Sequence, residues 1–158
     1  MVNMGNGLVG FGLRYTTQIR FYDVYSNRLI PTAYNRTDEA TNSFYSSVLG
    51  INDEWIHIPY FGSRFTHYNW KSNSYEAGGS QTQTKAYFGG AVWRDGSIIL
   101  SPADRKTLDR YNPWTRQVEV GATPTISNNA YRDVHISPEG LALYTPWAEN
   151  EMLSLIHI

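Results

Sequence analysis

Four histidines, two acids at one recurring position and a set of loop-side aromatics are the groups in this 158-residue chain able to bind or react. Histidine at metal-ligand spacing would hold zinc or move protons. His57 and His67 form no helical pair and no clustered ligand motif, so both read as structural or solvated. Asp95 and Glu139 occupy equivalent positions, with Asn52 as their counterpart in an earlier copy, and acids repeated in this way can converge on one axis for acid–base work. Glycine follows both acids directly, however, and Asp-Gly between apolar runs marks a tight hairpin. Turn chemistry therefore accounts for them. No G-x-S-x-G elbow presents a serine nucleophile, and no Gly-rich loop ends in the Lys-Ser/Thr pair that cradles phosphate. Cysteine is absent, which removes disulfides, thiolate metal sites and cysteine nucleophiles. On these residues we expect no enzyme, no catalytic residue, no metal and no cofactor.

The aromatics are the better functional signal. Trp70, Trp114 and Trp147 fall at or beside loops, and Tyr60 and Phe61 follow a strand. Exposed Trp and Tyr stack on sugar faces or anchor protein interfaces, whereas packed ones seal a core. We take Trp70, Trp114, Trp147 and Tyr60 as binding residues, with a protein or glycan surface as partner. A net charge of -1 gives no footprint for nonspecific nucleic-acid binding, which needs many Lys and Arg to release phosphate counterions. No basic segment precedes a long apolar run, and no window approaches the roughly 18 apolar residues of a membrane helix. Nucleic acid and membrane are therefore not expected partners.

These side chains must be positioned by short strands, because aromatics at 15% with Asn, Gly, Ser and Thr between them favour strands and turns over helices. The strands recur. A shift of about 43 residues lays Phe88 over Tyr45, Ile99 over Ile56, Pro102 over Pro59, Leu108 over Phe65 and Tyr111-Asn112 over Tyr68-Asn69. A further shift lays Glu139-Gly140 over Asp95-Gly96, Leu143 over Ile99 and Met152 over Leu108; upstream, Ile19, Tyr22 and Asp23 precede Phe65, Tyr68 and Asn69. Four short strands per copy make a β-propeller blade, whose two faces are covered by its neighbours. The expected fold is all-β, with blades of four antiparallel strands at about 1–42 (partial), 43–86, 87–130 and 131–158 (truncated) in a single repeat domain. Ile56, Ile99 and Leu143 should pack in the second strands, and Ile19, Phe65, Leu108 and Met152 in the third. A closed propeller needs roughly 170 to 350 residues at this period, so further blades or self-assembly are expected. The terminal Leu153 to Ile158 is similar to translated sequencing adaptor, although Leu155 also falls on the Tyr111 column.

The third copy, Gly89 to Val120, resembles a repeat of the form GGV-x-x-x-DG-x-I-x-x-x-P followed by an apolar strand and a Tyr-Asp-Pro-like turn. Similar repeats occur in Kelch-like propellers and in phage virion proteins, including tail-associated ones. The match extends moderately over Tyr45 to Gly78 and in part over Tyr131 to Met152. Ser46-Ser47 replaces the glycine pair, Asp53 the turn glycine, and Trp70 stands where Pro113 would be. The double glycine lies on the first strand, unlike standard Kelch repeats. The resemblance implies a non-enzymatic binding or structural module of a phage virion or tail, located in the virion and presenting loops on a rigid scaffold. The alternatives are a cytoplasmic, Kelch-like protein-interaction module and a fragment of a propeller carbohydrate-active enzyme.

Overall fold

The computed structural model describes residues 2–5, 7–12, 18–35, 44–80, 85–123, 131–148 and 153–155. Four antiparallel meanders follow one another along the chain. The first contains β1 (Val2–Gly5), β2 (Leu8–Gly12), β3 (Gln18–Asp23) and β4 (Arg28–Asn35). The second contains β5 (Phe44–Leu49), β6 (Glu54–Pro59), β7 (Arg64–Asn69) and β8 (Ser74–Ser80). The third contains β9 (Tyr87–Val92), β10 (Ile98–Pro102), β11 (Leu108–Asn112) and β12 (Gln117–Ala122). The fourth contains β13 (Tyr131–Ile136), β14 (Ala142–Pro146) and β15 (Leu153–Leu155). These are propeller blades, and no sheet closes on itself, as in an incomplete propeller. The N-terminal stretch forms two strands, β1 and β2. β15 pairs Leu155 with Ala142, as Tyr111 pairs with Ile98 one blade earlier, so the last strand keeps the repeat register.

Turn chemistry sets the strand ends. Gly96 and Gly140 turn from first to second strand at positive φ, and Asp53 takes that conformation (φ 58°) where the second blade lacks the glycine. The turn from third to fourth strand is built the same way in three blades. The side-chain oxygen of Asp23, Asn69 or Asn112 accepts the backbone N–H groups two and three residues on. Positive φ then falls on Asn27, Asn73 and Arg116. In the first two blades a tyrosine closes the turn, Tyr22 donating to Asn27 Oδ1 and Tyr68 to Asn73 Oδ1. Arg116 offers no such acceptor, and the Tyr111 hydroxyl instead crosses to His67 Nε2 of the second blade, 2.6 Å away.

The apolar core lies between blades. Ile98 and Leu100 pack with Ile56, Ile58 and Phe65 of the second blade, while Ile99 between them packs with Val134, Ala142 and Tyr144 of the fourth. A third core joins Phe21 of the first blade to Trp55 and Tyr68 of the second. β10 thus divides its alternate side chains between two neighbours. Ile56, Ile99, Phe65 and Leu108 are buried as their columns require, but Leu143 is only half-buried. Its face of the fourth sheet is opposite the one that meets the third, and no described sheet covers it. The Ile19 side chain and Met152 lie outside the described residues.

Phe65 and Tyr111 stack across the second contact at 3.8 Å between ring centres, and His67 beside them links Glu54 Oε2 at 2.7 Å to the Tyr111 hydroxyl. Burial holds His67 below the ordinary histidine range, against the pull of the Glu54 carboxylate. Neutral His67 donates from Nδ1 to Glu54 and accepts from Tyr111 at Nε2. Burial also pushes the Tyr111 phenol up to about 12, so it remains a donor.

Ile99→Asp is expected to destabilise the fold by about 3 kcal/mol or more, because it buries a charge without a partner between two blades. A urea midpoint equal to the parent's would refute the division of β10 between neighbours. For His67, the unfolded chain binds more protons than the folded one between the lowered value and 6.5. Its contribution to stability is therefore full above that window and falls as pH drops through it. His67→Gln should flatten this part of the acid dependence in urea melts between pH 5 and 8.

Candidate functional site

Because each meander alternates direction, its loops divide between two ends. Tyr60 and Trp147 follow the second strands β6 and β14 and lie at the end where the first strands begin; Trp70 and Trp114 lie in the loops after β7 and β11, at the other end. The first strands are the inner ones, with β1 against β5, β5 against β9, and β9 against β13.

Three of these inner strands slip register once at their beginnings. Phe44 pairs with Pro59 and Ser46 with Ile58, which leaves Tyr45 as the extra residue. Phe88 is extra in β9, and Arg132 in β13. A bulge bends its strand and re-aims the side chain it carries. Here the three converge. Tyr45 and Phe88 meet edge to face at 5.7 Å, and Tyr60 stacks on Phe88 at 5.4 Å. The Arg132 guanidinium lies 5.2 Å from the Tyr45 ring, 5.7 Å from Phe88 and 4.3 Å from Trp147, and Nη2 donates to the Tyr45 hydroxyl at 3.2 Å. All three rings are within cation–π range.

One residue further along, Ser46, Gly89 and Asp133 lie side by side. A Cβ added at Gly89 would stand 2.9 Å from Asp133 Oδ1 and 3.6 Å from Ser46 Oγ, so a larger residue would crowd the acid. Asp133 Oδ1 accepts the Val134 N–H, and its other oxygen lies 4.0 Å from His135 Nε2. The side chains of Asp133 and His135 are 48% and 67% exposed, open to a ligand. A guanidinium, a carboxylate and an imidazole thus occur on one inner strand beside aromatic rings. Among the described residues, no three metal-ligating side chains converge.

Of the four residues expected to bind, the structure brings Tyr60 and Trp147 to this end. Tyr60 is mostly buried among Tyr45, Phe61 and Phe88, while Trp147 is 61% exposed over Arg132. Trp70 is half-buried against the Phe21–Trp55–Tyr68 core. Trp114 is half exposed at the opposite end, beside Gly96 and Ile51, where it seals the contact between two turns. Sequence reading singled out none of Tyr45, Phe88, Arg132 and Asp133 as functional. The usable signal was the column that sets Phe88 over Tyr45 and continues to Arg132, where a cation interrupts two aromatics.

No protein-family model and no curated protein sequence matches the chain. Solved structures do. Virginiamycin B lyase from Staphylococcus aureus superposes with a TM-score of 0.75 at 9% identity, over 96% of this chain and 52% of that one. An auxiliary nutrient binding protein from Bacteroides ovatus gives 0.71 at 11% identity, over 94% and 35% of the two chains. Hydrazine synthase from Kuenenia stuttgartiensis gives 0.72 at 9%, over 97% and 43%. The chain spans about half the length of the lyase or less of the others, and at these identities the likeness shows the fold alone.

That likeness corrects two expectations. The chain was read as a non-enzymatic phage or Kelch-like module, yet structures sharing its fold include lyases. The propeller part of the resemblance stands, and the Kelch and virion parts gain nothing from these structures. The physical reason is that a propeller is a scaffold. Its reactive groups come from separate blades, so a missing local motif does not argue against an enzyme.

Trp147→Ala is expected to cost less than about 1 kcal/mol, the worth of an exposed cation–π contact, and Trp55→Ala about 3 to 5 kcal/mol, since Trp55 is fully buried. Denaturant unfolding of the two variants checks whether Trp147 is free of the core.

Proposed function

We propose that the chain forms part of an enzymatic β-propeller that takes a small molecule at the inner-strand end marked by Tyr45, Phe88, Arg132 and Trp147. The observation that carries this reading is the set of three bulges, which turn one side chain from each of three blades towards a common point. Asp133 and His135 beside it supply an acid–base pair: the imidazole takes a proton from a bound ligand, and the carboxylate 4.0 Å away stabilises the charge it gains. The shared fold with virginiamycin B lyase, one structure of which is a complex with quinupristin, supports the enzymatic reading. The exposed Trp147 face also suits a sugar ring.

The test is turnover. Quinupristin, simple lactones and oligosaccharides are incubated with the protein and followed by chromatography and mass spectrometry. We expect conversion of at least one class, reduced at least about 100-fold by His135→Gln. Conversion that His135→Gln leaves unchanged would exclude the proposed pair. A crystal soak in which fragments gather at Trp114 and leave Arg132 bare would place the site at the wrong end.

A further inference from the structure

We infer that this site recognises an anionic group, a carboxylate, phosphate or sulfate borne on a planar ring, with Arg132 as its receptor; the inference rests on the reading above and specifies its ligand class. Three arginines of the third blade provide the contrast, while Arg94 of that blade bonds the Glu139 backbone carbonyl. Arg105 pairs with Asp109, Arg110 with Glu119 and Asp95, and Arg116 with Glu76. Arg132 has no carboxylate partner among the described residues. Its polar contact there is the single hydrogen bond to the Tyr45 hydroxyl, although a guanidinium carries five N–H donors in a planar fork.

What holds Arg132 is therefore aromatic. Trp147, Tyr45 and Phe88 surround its guanidinium without neutralising it, and ring faces take none of its N–H donors from a ligand. A cation held in place, with no carboxylate against it and N–H groups unspent among the described residues, matches the two oxygens of a carboxylate or the face of a phosphate. The adjacent Asp133 does not occupy the fork. One of its oxygens accepts the Val134 N–H and stands over Gly89, and the other is towards His135. Lys85 Nζ, 5.9 Å from the Phe61 ring, adds a second cation at the same end. Phe61 and Trp147 are both exposed enough to receive a ring carried next to the anion.

The experiment titrates the protein with benzoate, phenyl phosphate, the neutral benzamide and inorganic phosphate, following the indole N–H signals by NMR. Benzoate and phenyl phosphate should perturb Trp147 and bind at least tenfold more tightly than benzamide. Arg132→Gln should abolish this preference, while Arg132→Lys should weaken binding yet retain it; if the Gln variant does not fold, the Lys variant and Trp147→Ala decide. Benzamide binding at Trp147 as tightly as benzoate overturns the anion receptor but leaves the small-molecule site standing. Anion binding unchanged in the Arg132 variants also overturns it. Failure of every probe, inorganic phosphate included, to bind sinks both the receptor and the site. Inorganic phosphate binding alone, lost in Arg132→Gln, keeps the anion receptor and removes the ring from the ligand class.

Discussion

A four-stranded sheet has two faces, and no sheet of this chain covers either of its own. That constraint explains why β10 is buried along its whole length, with Ile98 and Leu100 on one neighbour and Ile99 on the other. Period-two alternation, which in a one-sided sheet separates core from solvent, here separates one blade contact from the next. The outer strand β12 has no such demand and carries only exposed and half-buried positions. Exposed Leu29 on β4 and half-buried Leu143 on β14 belong to the two end blades, where one side meets no described neighbour.

Stacking also determines where polar groups are tolerated. His67 is buried because Glu54 and Tyr111 satisfy both ring nitrogens across a blade contact, and Asp109 because Tyr87 donates to it at 2.6 Å and Arg105 lies equally close. The Asp109 contacts lie within the third blade, whereas the His67–Tyr111 bond joins the second blade to the third, a specific polar link beside the apolar area. At the inner edge the constraint takes another form. Straight inner strands would crowd as they approach one axis, and a bulge at the start of β5, β9 and β13 bends each of them. The same bend turns Tyr45, Phe88 and Arg132 towards each other, so the feature that fits the strands together also assembles the candidate site.

The sequence by itself determined the repeat, the all-β class and much of the core. Asp95-Gly96, Glu139-Gly140 and the Tyr-Asn turns are local signals, read from adjacent residues, and the apolar columns at Ile56, Ile99, Phe65 and Leu108 follow from a repeat that needs no partner to be seen. Tertiary structure alone decided where each aromatic lies and how far it is exposed. Trp70 and Trp114 carry the same loop-side signature as Trp147, yet one joins a core and another seals a turn at the far end, because loop position in a meander assigns the end and packing assigns the exposure. The repeat column links Tyr45, Phe88 and Arg132, but their grouping with one another and with Trp147 was likewise decided by the fold. It depends on three register slips and on contacts such as that between Tyr45 and Arg132, 87 positions apart, and neither slip nor distance leaves a mark in any single stretch of sequence.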